Sequence, residues 1–313
     1  MTQPEAPRAS AAGGAPDILE RIVGTKRREI ARLRPRAEEL EAGARAAPPP
    51  RDFRAALAGP AEVALIAEVK RRSPGAGPIR PGLDPAELAA AYEAAGASAL
   101  SVLTDREYFG GSLADLRAAR AATRLPVLRK DFLLSGVQLL EARAAGADAV
   151  LLIVAVLDDG ELRRLRLLAE GLGMAALVEV HDAREMARAL SSGATLVGIN
   201  NRNLRDFTTR LATTAEVMGA AGDGIVLVSE SGIRSRADVA WLGGRGVDAV
   251  LVGTTLLSAP GPGEMARELA GVGGGGGPRG GGGGGGAPPP PPGGGRGRGR
   301  GGGRGGGGGG GGG

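Results

Sequence analysis

Eight short apolar runs, each rich in β-branched residues, recur along this chain at intervals of roughly 20–35 residues, and this spacing constrains the fold most strongly. Stretches rich in Ala, Leu, Arg and Glu, with helical periodicity, lie between them. The runs are continuously apolar, which indicates strands covered on both faces, as in a parallel sheet. The predicted strands are residues 64–70, 99–104, 126–130, 149–154, 175–180, 196–200, 225–230 and 249–253.

Seven of the intervening stretches open with a helix-capping residue followed three positions later by an acidic or amide residue. Such pairs satisfy the free N–H groups of a first helical turn. They are Asp84 and Glu87, Ser112 and Asp115, Ser135 and Gln138, Asp158 and Glu161, Asp182 and Glu185, Thr213 and Glu216, and Ser235 and Asp238. Their position downstream of apolar runs predicts strand–helix units in series.

Eight such units closed into a ring predict a single (β/α)8 TIM barrel, which usually needs about 200–250 residues. We place it at residues 61–270. A doubly wound open sheet is the alternative, but it typically carries a glycine fingerprint after its first strand. Here that position holds S-P-G-A-G-P (residues 73–78), which is too proline-rich to open a helix.

The barrel is flanked by segments of different composition. Residues 17–60 predict an N-terminal helical extension, with helices at 17–34 and 52–57 on either side of a proline hinge. Residues 1–16 are rich in Ala, Pro and Gly, and residues 271–313 form a Gly/Arg/Pro-rich C-terminal tail. Neither segment can bury much apolar surface, so we predict that both are disordered.

Charge and composition exclude several functions. The net charge of +5 comes from five arginines in the tail, because the rest of the chain holds 34 basic and 34 acidic residues. Nucleic-acid binding by the barrel is therefore not indicated. The tail sequence R-G-R-G-R-G-G-G-R-G resembles segments that bind RNA non-specifically, so a weak, salt-sensitive RNA contact is a hypothesis beside the favoured one of an inert tail.

The chain has no Cys and a single His, His181, which excludes thiolate chemistry, disulfides and a two-His metal site, although not a carboxylate Mg²⁺ site. Acid–base chemistry then falls mainly to Lys, Glu and Asp. The start of the chain lacks an apolar signal core, and no apolar run approaches the ~20 residues of a membrane span. We expect a cytoplasmic protein.

Only three lysines occur, Lys26, Lys70 and Lys130, while Arg supplies every other basic charge. Lys70 and Lys130 end predicted strands. A partly desolvated ammonium can give up its proton, whereas a guanidinium keeps it, so these two positions suggest chemistry that Arg cannot perform. For Lys130 and Glu179, apolar neighbours are expected to lower the pKa of the lysine and raise that of the carboxyl group.

A barrel active site lies at the carboxyl ends of the strands. The polar residues expected there are Glu68, Lys70, Lys130, Glu179, Asn200, Arg202, Glu230, Ser231, Gly253 and Thr254. Any one of them could be a solvated strand-end group, but their convergence favours function. Small residues after strands seven and eight, joined by Ser73, predict a phosphate site. Phe109 and Phe132 could line an aromatic pocket or belong to the core, and His181 is expected to make a loop hydrogen bond.

Six ordered motifs resemble the indole-3-glycerol-phosphate synthase family of tryptophan biosynthesis, from about residue 17 to residue 269. They are E-V-K-R-R-S-P-G, L-R-K-D-F, V-E-V-H, G-I-N-N-R-N-L, S-E-S-G-I and V-G-T-T-L. The resemblance implies a cofactor-independent carboxy-lyase that binds 1-(2-carboxyphenylamino)-1-deoxyribulose 5-phosphate. Such an enzyme closes the ring with loss of CO₂ and water.

The resemblance also implies roles for individual residues. Lys130 would be the general acid, Glu179 its partner in dehydration, and Lys70 the cation that holds the substrate carboxylate. The other implied roles are orientation or lining by Glu68, Asn200, Arg202, Glu230 and Ser231, phosphate contacts by Ser73, Gly232, Gly253 and Thr254, and a wall around the anthranilate ring formed by Phe109, Phe132 and Leu204.

Two other functions fit parts of the sequence. A phosphoribosyl isomerase would share the barrel and its phosphate site, but its reaction would use a carboxylate pair or a Cys–carboxylate pair, and this chain has no Cys. A non-catalytic RNA-binding protein would need a basic stripe, which the charge balance does not indicate. The partner expected for the barrel is therefore a phosphorylated small molecule. We expect a monomer, although the sequence does not decide between monomer and dimer.

Overall fold

The eight predicted strands form one closed parallel barrel in the computed structural model, which describes residues 18–58, 61–203 and 208–274. Each strand pairs with the next, and the first pairs with the eighth. The bounds are β1 Glu62–Val69, β2 Ala99–Leu103, β3 Val127–Lys130, β4 Ala149–Ile153, β5 Ala175–Val180, β6 Leu196–Asn200, β7 Val226–Glu230 and β8 Ala249–Val252. The predicted TIM barrel is confirmed, and the open sheet is excluded.

Both faces of each strand are buried, which explains the continuous apolar runs. On β1, Ala64 and Ile66 belong to the cluster inside the barrel, whereas Leu65 and Ala67 pack in the outer cluster under the helices. Alternation along a strand therefore separates two apolar environments rather than core from solvent. The inner face of β1 continues upward to Glu68, where the apolar layer ends.

Six of the seven predicted caps begin helices. Asp84, Ser112, Asp158, Asp182 and Ser235 accept backbone N–H groups of the first turn, and the Gln138 side chain accepts from Ser135 N at 3.2 Å. The helices are α4 Pro85–Ala94, α5 Leu113–Ala122, α6 Gly136–Ala144, α7 Asp159–Gly171, α8 Ala183–Ser191, α9 Ala212–Val217, α10 Arg236–Gly243, α11 Thr254–Ser258 and α12 Pro262–Leu269.

The cap predicted at Thr213 is wrong, because α9 already begins at Ala212. The neighbouring threonine explains the difference. Thr214 N and Thr214 Oγ1 both donate to Asn201 Oδ1, at 3.0 and 2.9 Å, so a side chain from the end of β6 satisfies this turn. Sequence spacing could not reveal a cap supplied by another element.

Before the barrel, the chain forms α1 Ile18–Leu33, α2 Ala37–Ala46 and α3 Phe53–Leu57. The first and third were predicted; α2 was not. Asp52 caps α3 by accepting from Ala55 N at 2.8 Å. Phe53 and Leu57 are fully buried and join the inner cluster at the amino ends of the strands, so α3 plugs that end of the barrel.

The last described residues extend beyond the predicted barrel boundary at residue 270. Val272–Gly273 forms a short strand, β9, that pairs antiparallel with the start of β1. The predicted disordered N-terminus (1–16) and the remainder of the tail (275–313) lie outside the described residues. Within the described part, no helix combines the length and apolarity needed to cross a bilayer.

Candidate active site

A cavity of about 250 Å³ opens at the carboxyl ends of the barrel strands. Of the fifteen predicted site residues, Leu204 lies outside the described residues. The other fourteen all line this cavity: Glu68, Lys70, Ser73, Phe109, Lys130, Phe132, Glu179, Asn200, Arg202, Glu230, Ser231, Gly232, Gly253 and Thr254. Residues from far-apart segments therefore meet in one place.

The inner face of each strand explains this convergence. Leu128, Leu177 and Val228 belong to the apolar cluster inside the barrel. Two positions further along their strands, and hence on the same face, stand Lys130, Glu179 and Glu230. The charged groups therefore form the layer directly above a dry apolar core, where water screens them poorly.

Lys130 lies at the centre of this layer. Its Nζ atom is 3.0 Å from Glu179 Oε2, and it also donates a short hydrogen bond to Glu230 Oε2. Both carboxylates are buried. One ammonium thus joins strands β3, β5 and β7 across the mouth of the barrel.

The expected pKa directions at this pair are wrong. Burial alone would lower the pKa of Lys130, but Glu179, Glu230 and Glu68 raise it above the usual range of a lysine. Burial alone would raise the pKa of Glu179, but Lys130 and His181 hold it well below its usual range. Apolar neighbours along the strand are visible in sequence, whereas opposite charges from other strands appear only in the fold. Those charges dominate here.

Glu230 differs from Glu179 in its pKa. Burial, aided by the negative charges of Glu179 and Glu68, raises the pKa of Glu230 to about 7 although Lys130 opposes this shift. Its Oε1 atom is buried with no hydrogen-bond partner among the described residues. A carboxyl group with such a pKa can hold or release a proton near neutral pH.

Gly198 in β6 makes room for this carboxyl group. A Cβ atom at position 198 would lie 2.2 Å from Glu230 Oε1, closer than atoms can approach. Gly253, at the end of β8, has the same relation to Glu68, with a distance of 2.1 Å from a Cβ to Oε1. Glycine at both positions therefore leaves room for the two carboxyl groups in the cavity.

Glu179 has two further partners. Asn200 Nδ2 donates to Glu179 Oε1 at 3.2 Å, and His181 Nε2 lies 3.4 Å from the same oxygen. The expected loop hydrogen bond of His181 is present, because its backbone N and its Nδ1 both contact Glu185 Oε2, at 2.8 and 3.0 Å. Sequence reasoning missed that the other ring nitrogen faces Glu179. The two-residue spacing from Glu179 was the available signal.

Lys70 and Glu68 form a second charged pair, with 2.5 Å between Lys70 Nζ and Glu68 Oε1. The two residues are two positions apart, and alternation along an extended chain places such residues on the same face. Asn200 also turns the following loop, because its Oδ1 accepts from Arg202 N at 3.0 Å. This contact holds the backbone at Arg202 beside the cavity.

Five small residues line the cavity: Ser73, Ser231, Gly232, Gly253 and Thr254, of which all but Ser231 were predicted to contact the phosphate. Ser231 and Gly232 turn the chain sharply with positive φ angles of 67° and 81°. Asn201 supports this turn by donating from Nδ2 to Ser231 O and to Ser229 Oγ, both at 3.0 Å. Arg234, which was not predicted, also lines the cavity.

Phe109 and Phe132 form an aromatic wall, with ring centroids 6.3 Å apart at a tilt of 35°. Both rings line the cavity and also contact the inner apolar cluster, so the two roles left open from the sequence are combined. The cavity thus has an apolar face, a charged floor and a mouth of small polar residues.

A (β/α)8 barrel whose carboxyl end holds such a set of titratable groups belongs to the barrel enzymes that use acid–base chemistry. A family model described as indole-3-glycerol phosphate synthase matches residues 19–269. By this match, the chain belongs to the indole-3-glycerol phosphate synthase family.

Individual relatives agree. The indole-3-glycerol phosphate synthase of Aromatoleum aromaticum is 50% identical over 262 residues, covering 82% of this chain and 99% of that protein. Indole-3-glycerol phosphate synthase 2 of Streptomyces coelicolor is 51% identical over 254 residues, covering 81% and 97%. A solved thiamine phosphate pyrophosphorylase from Pyrococcus furiosus has a TM-score of 0.50 at 19% identity, over 66% of this chain and 93% of that one, which shows a shared fold alone.

Proposed function

We propose that this protein converts 1-(2-carboxyphenylamino)-1-deoxyribulose 5-phosphate into indole-3-glycerol phosphate with loss of CO₂ and water. Family membership over residues 19–269 supports the reaction. The observation that carries it at the level of atoms is the buried Lys130 ammonium between Glu179 and Glu230, in the same cavity as an aromatic wall.

In this proposal, Lys130 is the general acid. The ring carbon that bears the carboxylate attacks the ketone carbon, and the developing alkoxide takes a proton from Lys130 Nζ. A raised pKa keeps Lys130 protonated at neutral pH, as an acid must be. Glu230, with a pKa of about 7, can then return a proton to Lys130 through their direct hydrogen bond.

Glu179 serves the later steps. Loss of CO₂ restores the aromatic ring. Loss of the hydroxyl group as water then requires a proton on the departing hydroxyl group, which the reprotonated Lys130 supplies, and removal of a proton from the intermediate. Glu179 stays ionised because Lys130 and His181 hold its pKa down, so it can act as the base, while Asn200 orients its carboxylate. Lys70, paired with Glu68, holds the substrate carboxylate until CO₂ leaves.

The remaining residues bind and orient substrate. Ser73, Ser231, Gly232, Gly253 and Thr254 hold the phosphate. Phe109, Phe132 and Leu204 surround the anthranilate ring, and Arg202 lines the site. This division is supported by a cavity lining that contains both small residues and aromatic residues.

The test is incubation of the purified protein with this substrate while the absorbance of the indole product is recorded. Product formation after exhaustive dialysis against a chelator would support the proposed independence from metals and cofactors. A ketose product without an indole chromophore would instead indicate an isomerase and overturn the proposal.

The proposal extends to the state of the protein: a cytoplasmic monomer whose barrel binds no nucleic acid. Leu167 is the only large apolar side chain that is strongly exposed among the described residues, which supports a monomer. A dimer mass measured by light scattering would contradict this.

Deleting residues 275–313 should leave turnover unchanged. If the deletion also leaves retention on an RNA column unchanged, the hypothesis of an RNA contact by the tail is rejected.

A further inference from the structure

Lys26, the third lysine of the chain, lies outside the reaction described above. It sits on α1, and its side chain is only 1% exposed. Its Nζ atom lies 2.7 Å from Asp105 Oδ2, 2.9 Å from Asp131 Oδ1 and 2.9 Å from Glu29 Oε2. Burial alone would lower its pKa, but Asp131 and Asp105 raise it, so the ammonium stays charged.

The two aspartates belong to different barrel loops. Asp105 follows β2, and its Oδ1 atom accepts from Tyr108 N at 2.6 Å and from Phe109 N at 3.1 Å. Asp131 follows β3, and its Oδ1 atom accepts from Phe132 N at 2.8 Å. Each aspartate thus fixes the backbone of one ring of the aromatic wall, and a single ammonium fixes both aspartates.

A second contact ties α1 to the same loop. Thr25 Oγ1 lies within hydrogen-bond distance of Tyr108 OH, at 3.1 Å. Two consecutive residues of α1 therefore contact the loop that carries Phe109. The N-terminal extension is joined to the side of the cavity that would receive the anthranilate ring.

We propose that Lys26 is a positioning residue for substrate recognition, which sets the separation of Phe109 and Phe132 by binding the two loops that carry them. The inference rests on the proposed function, because it assigns the aromatic wall to the aryl group of the substrate. Lys26 itself contacts neither the cavity nor the reacting groups.

The competing explanation is charge balance, in which Lys26 only neutralises buried carboxylates. The other contacts of Asp131 and Asp105 allow the positioning role and the charge-balance explanation to be distinguished. Asp131 keeps Arg129 and Thr104 as partners, at 3.3 and 2.6 Å, when Lys26 is removed. Asn at position 105 would lose the charge but could still accept from the N–H groups of Tyr108 and Phe109.

The variants are therefore Lys26→Met, Asp105→Asn and their combination. Arg36→Met is the matched control, because it removes an exposed ion pair from the same extension. Lys26→Met should raise KM for the substrate about 10-fold, the scale of losing one aromatic contact, with a much smaller change in kcat. The inhibition constant of inorganic phosphate should change little, since Gly232, Gly253 and Thr254 follow β7 and β8, whereas the two loops follow β2 and β3.

The combined variant decides between the explanations and covers the case in which Lys26→Met alone does not fold. If Lys26 positions the loops, the combined variant regains stability while KM stays raised relative to Asp105→Asn. A return of KM to the Asp105→Asn value would overturn the proposal, as would an unchanged KM in Lys26→Met.

Hydrogen exchange gives a readout that is independent of turnover. Residues 105–111 and 131–134 should exchange faster in the combined variant than in Asp105→Asn, while residues 230–235 should not change. If each of the three segments exchanged at the same rate in the combined variant as in Asp105→Asn, the role of Lys26 would be rejected even if the protein is active. Absence of synthase activity in the unaltered protein would reject the proposed function and leave this measurement valid.

Discussion

The Nζ atom of Lys130 lies 3.0 Å from Oε2 of Glu179, although 49 positions separate the two residues in the chain. Parallel strands β3 and β5 bring them together above the inner apolar layer. Because each group changes the pKa of the other, the lysine is held protonated and the carboxylate ionised. The proposed reaction uses both states in successive steps.

Lys130→Arg tests the acid role. Arginine preserves the positive charge, but its planar guanidinium cannot take the place of the compact ammonium between Glu179 and Glu230 and donate a proton from that point. Turnover should fall by at least ~100-fold, the scale of one lost acid–base catalyst. Steady-state kinetics measures this loss, and an unchanged unfolding midpoint shows that the fold is intact. Near-normal turnover would remove Lys130 from the acid role.

Gly198→Ala tests the placement of Glu230. The added methyl group would meet Glu230 Oε1 at 2.2 Å, so the carboxyl group must move away from Lys130. We expect lower kcat and a loss of about 1–3 kcal/mol in unfolding free energy, as for other overpacked sites. Urea unfolding and steady-state kinetics would measure the two effects.

Gly82→Ala is the matched control, because a Cβ there meets nothing within 4 Å. It should leave both kcat and stability nearly unchanged. If Gly198→Ala behaved like this control, Glu230 could not occupy the position described here.

Local signals predicted the strands and most helices well. The residues of an apolar run, and the two residues of a capping pair, lie within a few positions of each other. Such signals can therefore be read from the sequence without knowledge of the fold. Helix α2 escaped prediction. Its burial comes from Leu40, which packs with Ile30 of α1 and Val137 of α6, and this contact depends on the finished barrel.

The candidate site shows the same difference between local signals and contacts that depend on the fold. Strand-end positions predicted which residues meet, because parallel strands end at one edge. They did not predict the pKa directions of Lys130 and Glu179, which depend on charges brought from other strands. Lys26 was missed for a similar reason: its two aspartate partners come from loops 79 and 105 positions away in the sequence. The scarcity of lysine was the one signal that marked it.

Asn201→Ala tests how the phosphate-binding turn is supported. The Asn201 side chain is buried and bonds to Ser229 Oγ, Ser231 O and Thr214. Removing it leaves the N–H group of Thr214 and the carbonyl of Ser231 unpaired, at a cost of about 1–3 kcal/mol in stability. The inhibition constant of inorganic phosphate should rise. If stability falls but phosphate inhibition is unchanged, the turn does not bind the phosphate group.

His181→Asn tests the charge placed beside Glu179. Burial alone would lower the pKa of His181, but its contacts with the carboxylates of Glu179 and Glu185 raise it from 6.5 to about 10. A group whose pKa is raised by folding stabilises the folded protein fully when the pH is below its unfolded-state pKa. That stabilisation is lost as the pH rises through its folded-state pKa. The stability advantage of His over Asn should therefore be largest below pH 6.5 and should decline towards pH 10.

Urea unfolding of both proteins across this range measures the difference directly. His181 is the only histidine, and Glu230 is present in both proteins, so its titration largely cancels in the comparison. An advantage that stayed constant with pH would mean that folding does not raise the pKa of His181, and one that grew as pH rose would mean that folding lowers it. In that case Lys130 alone would keep Glu179 ionised, and the loss of His181 should then leave the pH dependence of kcat unchanged.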